Sequence, residues 1–310
     1  MALPEYFHEL AAKVRNWGRW GSDDELGTLN LVDAEAVRRG VGCARQGRTF
    51  SLAYPLSADG IQLGFIPGRV NPQLELHDVN HPVGEDPDGA CDNDDHVTMG
   101  LQAATHWDAL AHVSYGGQLY NGYPATAITA AGVSRCGIDR IRTLVGRGVL
   151  LDVARARQAE RLEGGYAITP ADLDAAVDQA AVTVEPGDIV LVRTGQMRLL
   201  TAGTPDKLAY SYPSPGLSLE TVEWFRWHDV AAVATDTLVF EVYPWQDPDL
   251  VMPVHLLHLV DMGMTQGQNW VLEDLADDCA DDGVYQFLLE ASPQPFVGAA
   301  GSPVNPIAVK

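Results

Sequence analysis

From residue 148 onward the chain alternates short apolar runs with helix-start signals, and this alternation limits the fold more than any other feature. Residues 148–153 (GVLLDV) and 188–193 (DIVLVR) are apolar and brief, so they read as buried strands. Between them Thr169 precedes Pro170. A threonine hydroxyl can accept a free backbone N–H and proline suits the first helical position, so a helix should open there and run to about Val182. Ser218 should cap a helix reaching about His228, and residues 229–234 should return as a strand ending at Thr235 and Asp236. Strand, helix and strand at this spacing is the pattern of crossover units with parallel pairing. Residues 284–289 and 304–309 read as two further strands. The expected fold is α/β: a single domain over residues 1–310 with a mixed sheet flanked by helices.

The first half carries fewer signals. Phe7, Leu10, Ala11 and Val14 recur at helical spacing behind Pro4, which predicts an N-terminal helical arm over about residues 4–18. Asp33 should cap a helix running towards Cys43, and residues 48–54 alternate like a strand. Residues 67–95 are rich in Pro, Gly, Asn and Asp and read as a long acidic loop, a lid or an arm reaching a neighbouring subunit. Asp92, Asp94 and Asp95 lack the glycine and terminal glutamate of a calcium loop. Residues 96–101 should be a strand, which would put His96 on the same face as Gln102, His106 and Asp108.

Charge and length exclude several classes of function. The formal net charge is −22, from 42 acidic against 20 basic residues, which repels phosphate backbones and anionic lipid, so neither nucleic acid nor a membrane is an expected partner. The first residues lack a basic region followed by an apolar run, and no stretch of about 18 uninterrupted apolar residues occurs. Cys43, Cys91, Cys136 and Cys279 are widely spaced without a Cys-x-x-Cys, which fits a reducing cytoplasm better than a disulfide framework or a zinc knuckle.

Chemistry concentrates in residues 102–112, Gln-Ala-Ala-Thr-His-Trp-Asp-Ala-Leu-Ala-His. In an extended segment His106 and Asp108 point to one face, whereas in a helix they would diverge by about 200°. The extended form therefore lets a neutral imidazole and a carboxylate converge on a zinc, manganese or iron ion. A histidine capping the backbone beside an aspartate in a turn would give the same residues without a metal. After His112, Tyr115, Tyr120 and Asn121 stand among glycines and read as one wall of a pocket or as ordinary packing. His255 lies in the first turn of a helix that opens at Pro253 and ends at Gly263. There the helix dipole favours the neutral imidazole, the form that can ligate metal or act as a base. His258, one turn on, reads as a surface residue, and Arg193 and Asp236 as strand-end residues near a ligand crevice or in salt bridges.

The motif resembles the signature of the cyclase family of metal-dependent hydrolases, His-x-Gly-Thr-His-x-Asp-Ala-x-x-His, a family that includes bacterial kynurenine formamidase and isatin hydrolase. Thr105, His106, Asp108, Ala109 and His112 match it, while Gln102 stands in place of the first histidine and Ala104 in place of the glycine. Residues 20–30 (WGSDDELGTLN), 120–122 (YNG) and 298–303 (GAAGSP) extend the resemblance in the family's order.

The resemblance implies a swivelling β/β/α-like fold, a homodimer or higher homo-oligomer, and a metal-activated water attacking an amide or lactone carbonyl. It also implies metal ligands at His106, Asp108, His255 and Gln102, with Gln268 where the family carries a glutamate ligand. His112 is then the proton-transfer residue, and Trp107, Tyr115, Tyr120, Asn121 and Gln268 are placed at a small aromatic or cyclic substrate. Two glutamines in ligand positions argue against a two-metal centre. Three readings follow: a hydrolase with one divalent ion, zinc or manganese; a metal-free cyclase, dehydratase or isomerase using the same acid and base groups; and a non-catalytic ligand-binding protein.

Overall fold

The computed structural model describes residues 3–86 and 88–310. Its centre is a nine-stranded sheet, whose strands are numbered here in chain order: β1 Thr49–Ser51, β2 His106–Asp108, β3 Val145–Asp152, β4 Ile189–Arg193, β5 Ala232–Thr235, β6 Thr265–Gln268, β7 Gln286–Glu290, β8 Gly301–Pro303 and β9 Ile307–Val309. Across the sheet the order is β1-β9-β7-β3-β4-β5-β6-β2-β8. The run β3-β4-β5-β6 is parallel, and the pairings outside it are antiparallel.

The parallel run is covered on both faces, which explains its unbroken apolar sequence. Val149, Leu151, Val190, Val192 and Val233 enter one core cluster, while Leu150, Ile189, Leu191, Ala232 and Ala234 enter the other. Among the helices that follow the strands of this run are α3 Pro170–Ala180, α4 Thr221–Trp227 and α5, which begins at Pro253–His255 and continues as a π-helical stretch Leu256–Met262. Thr169 caps α3 as expected, in a reciprocal capping box with Asp172. Ser218 does not cap α4. The chain turns first, α4 starts at Thr221, and the Ser218 hydroxyl is buried without a partner.

The N-terminal helix α1 Glu5–Val14 is docked on its own chain. It buries Phe7, Ala11 and Val14, and the residues after it are tied down by Arg15 on Asp261, the Asn16 amide on the Met262 carbonyl and the Trp17 indole N–H on the Val260 carbonyl. Helix α2 Ala34–Val41 carries the expected Asp33 cap, which accepts from the backbone of Glu35 and Ala36. Helix α6 Glu273–Asp282 lies in the layer with Trp107 and Trp270.

The acidic segment is not an irregular loop. Gln73–Leu76 pairs with Asp95–Thr98, and His81–Pro82 with Cys91–Asp92, making a long two-stranded ribbon exposed along its length. The strand expected over 96–101 therefore ends at Thr98, and residues 101–105 turn before β2 begins. That turn breaks the register that would have aligned His96 with the motif. His96 stacks on His77 and approaches Glu75 in the exposed ribbon instead.

Candidate active site

The motif enters the sheet as β2, between β6 and β8. His106 lies opposite Gln268 and Asp108 opposite Gln266, so these four side chains share one face. Trp107 points to the other face. It is fully buried, gives its indole N–H to the Ala291 carbonyl and packs edge-on against Trp270. The side chain expected at the substrate is thus a core anchor, and Gly267 beside it must lack a side chain: a Cβ there would stand 2.6 Å from the Trp270 Nε1.

His106 and Asp108 are both buried completely. His106 directs Nδ1 to the Ala104 carbonyl at 2.7 Å, which fixes that nitrogen as the donor and leaves Nε2 with a lone pair. Nε2 stands 3.4 Å from Asp108 Oδ1, and neither atom has a hydrogen-bond partner. His112 Nε2 is 3.7 Å from the same oxygen and one-fifth exposed. The other Asp108 oxygen, Oδ2, accepts from the Gln268 amide at 2.7 Å and from the Gln266 amide at 3.4 Å. Burial alone would raise the Asp108 carboxyl, but the imidazoles of His112 and His106 hold it well below the usual carboxylate range. Burial pushes the His112 imidazole down, against the pull of Asp108, so it is neutral near pH 7.

His255 reaches the site from the first turn of α5. Its Nδ1 bonds to Glu241, whose carboxylate also accepts the backbone N–H groups of Val254 and His255, each at 3.1 Å. Glu241 thereby fixes the tautomer and turns Nε2 inward, where it meets the Gln268 amide at 3.3 Å. The Gln268 amide thus lies between Asp108 and His255. Gln102 lies beside the same face: its Nε2 would be 2.6 Å from a Cβ at Gly301, the residue opposite Asp108. Its side chain makes no hydrogen bond to His106 or Asp108 among the described residues.

His112, His255 and Gln268 open onto a cavity of about 730 Å³ walled by Phe65, Leu238, Tyr212, Tyr243 and Trp245. A larger cavity of about 850 Å³, between α1 and α4, holds none of the motif's side chains. Tyr115, Tyr120 and Asn121 do not line the site cavity. The Tyr115 hydroxyl bonds to Asp261, Tyr120 gives its hydroxyl hydrogen to Asp24, and the Asn121 amide ties down the backbone at Gly21, Ser22 and Asp24. Tyr115 is thereby tied to α5, and Tyr120 and Asn121 are tied to the N-terminal segment. Arg193 is locked between Asp152 and Glu273, and Asp236 accepts from the backbone of Thr194 and Gly195. His258 is buried between Phe225 and Phe240 rather than at the surface, with burial pushing its pKa down to about 3.

No three His, Cys, Asp or Glu side chains among the described residues close into a metal cage. The two orphaned acceptors nevertheless suit one cation. Ligand atoms about 2.1 Å from a tetrahedral ion stand about 3.4 Å apart, which is the spacing of His106 Nε2 and Asp108 Oδ1. Such a site is open, with positions left for solvent or substrate. Gln268 occupies the space between Asp108 and His255, so a second ion does not fit there without displacing its amide.

The Cyclase family model matches residues 49–242. The chain belongs to the cyclase family. It is similar to a crystal structure described as a novel cyclase at 38% identity, covering 97% of this chain and 99% of that one with a TM-score of 0.88. Isatin hydrolase A from Labrenzia aggregata, solved with benzyl benzoate, matches at 19% identity over 84% of this chain and 93% of its own, with a TM-score of 0.62. The enzyme of the same name from Ralstonia solanacearum matches at 21% identity over 89% and 94%, with a TM-score of 0.61. At these lower identities the likeness is one of fold. No protein of curated function matches the chain. Among the described residues no helix is long and apolar enough to cross a membrane.

Proposed function

We propose that this cyclase-family protein is a metal-dependent hydrolase that opens an amide or lactone bond in a small cyclic or aromatic molecule. The observation that carries this reading is the pair of buried atoms His106 Nε2 and Asp108 Oδ1, 3.4 Å apart and each without a hydrogen-bond partner among the described residues. Unpaired buried acceptors are costly, and one divalent ion, zinc or manganese, would satisfy both. When bound, such an ion supplies Lewis acidity to a carbonyl and makes a water acidic enough to attack near neutral pH. The chain's own residues do the rest. The Gln268 amide holds Asp108 by Oδ2 and leaves Oδ1 turned to the site. His112, neutral and open to the cavity, takes the proton from the attacking water and returns it to the departing nitrogen or oxygen. Structures described as a potential metal-dependent hydrolase with cyclase activity and as a predicted metal-dependent hydrolase share the fold, which is consistent with this reading.

A second reading is favoured by the Gln268 amide between Asp108 and His255. An amide NH₂ is a neutral donor to both groups, so the same scaffold could hold His112, His255 and Asp108 as acid and base for a metal-free cyclisation, dehydration or isomerisation. Elemental analysis of protein purified without an affinity metal separates the two. About one equivalent of divalent metal, with turnover lost on chelation, supports the hydrolase; metal-free protein whose turnover survives chelation overturns it. Under either reading the chain works as a homodimer, supported by the exposed ribbon and by the prevalence of two-fold pairing among soluble enzymes.

A further inference from the structure

Arg69 enters the same cavity from the base of the ribbon, beside Phe65 and Ile66 and across from His112 and His255. Its backbone is wedged against Gly100, where a Cβ would meet the Arg69 Cα at 3.2 Å, so the place from which the side chain projects is set by packing. Among the described residues its guanidinium has no hydrogen bond and no ion pair. The contrast with the other arginines is informative. The buried Arg147 and Arg193 each meet a carboxylate, the half-buried Arg161 bonds to the Leu162 carbonyl and to Gln196, and Arg38 and Arg142, without a partner among the described residues, are exposed to water. Among the described residues, Arg69 is the one arginine that combines cover with the lack of a partner. Burial lowers its pKa, against the distant pull of Asp108.

The cavity wall also lacks acids. Of the 42 aspartates and glutamates in the chain, none among the described residues lines it. Asp108 lies beneath the wall, with its Oδ2 held by the amides of Gln268 and Gln266. Next to Arg69 the wall is apolar and aromatic: Tyr212 stacks edge-on against Tyr243, and Tyr243 against Trp245. A covered guanidinium with five donors and no acceptor holds a planar anion well, because its fork matches the two oxygens of a carboxylate.

We propose that Arg69 is a specificity-determining residue that receives a carboxylate on the substrate, so that the molecule processed here is an organic anion with an apolar or aromatic body. The body lies along Tyr212, Tyr243 and Trp245, the carboxylate at Arg69, and the reacting bond at His112 and Asp108. This rests on the reading of that cavity as the active site, but not on the metal or on the bond that is broken.

The test is calorimetric binding of two small probes, phenylacetate and its neutral isostere phenylacetamide, to chelator-treated protein, so that no metal can receive the carboxylate. Wild-type protein should bind phenylacetate about 10-fold or more tighter than the amide. Arg69→Gln should erase that ratio, and Arg69→Lys should keep part of it, because lysine retains the charge without the fork. Equal binding of the two probes by wild type, binding of neither at millimolar concentration, or a preference that survives in Arg69→Gln would overturn the proposal. Turnover is not read, so a failed hydrolase reading and a failed carboxylate receptor give different results.

Discussion

Asp108 Oδ1 stands 3.4 Å from His106 Nε2 and 3.7 Å from His112 Nε2, so removing each group should have a different effect. His112→Ala should retain metal and lose about 10²- to 10⁴-fold in kcat, the range for a general acid-base group. Asp108→Ala should lose both metal and turnover, measured by elemental analysis beside an activity assay. Gln102→His adds an imidazole beside Asp108 and should tighten metal binding if an ion belongs there; unchanged metal content would favour the acid-base reading. Glu241→Gln keeps the shape but loosens control of the His255 tautomer, and should lower kcat about 10- to 100-fold with little change in thermal stability. His106, Asp108 and His112 are legible in the sequence because a strand places alternate residues on one face and the motif is short. Glu241 and Arg69 are not, because they reach the site from segments whose approach is decided by tertiary packing. His258, expected at the surface, lies in a π-helical stretch whose residues are all buried.

At the scale of elements, the N-terminal segment and α5 are held together by close backbone approach as much as by side chains. Gly263 ends α5 with φ +67, a Cβ there would meet the Tyr120 ring at 2.3 Å, and a Cβ on Gly27 would meet the Gly263 carbonyl oxygen at 1.8 Å. Gly263→Ala should therefore destabilise the fold by about 1–3 kcal/mol, read as a shift of the denaturation midpoint. The same region should be acid-sensitive. Arg19 bonds both oxygens of Asp229 and holds that carboxyl below its ordinary value of 3.8. A depressed folded pKa gives stability that is present above the unfolded value and lost as pH falls through the folded one. Protection of residues 15–30 from hydrogen exchange should thus weaken below about pH 4, and Asp229→Asn should remove that dependence; an identical pH profile in the variant would contradict it. Strands and capped helices after residue 148 are readable because each carries a local signal, such as Thr169 before Pro170. The three-residue β8 is not, because a pairing partner distant in sequence creates it.

For the whole molecule, the ribbon is the part that the single chain leaves unfinished. An isolated two-stranded ribbon is marginal in water, yet this one carries Leu74, Val79 and Val83 at 62–64% exposure. Leu74 lies opposite Val97, so these two apolar side chains share one face. The sequence shows the segment's acidity and its turn formers, but the pairing that makes it a ribbon depends on Gln73–Leu76 meeting Asp95–Thr98 across some twenty intervening residues. The N-terminal helix is already docked on its own chain. The ribbon is therefore the face expected to pack on a second copy. Two chains of charge −22 each repel at long range, so their contact must be apolar and should strengthen as salt screens that repulsion. Sedimentation at micromolar concentration should give twice the 33.5 kDa chain mass, with the paired fraction rising between low and moderate salt. Leu74→Asp combined with Val97→Asp should yield the single-chain mass while leaving the far-ultraviolet circular dichroism unchanged, because neither side chain touches the core. A wild-type protein that sediments as one chain at every salt concentration would remove the second copy from the account and leave the ribbon as a cover for the cavity mouth beside Arg69.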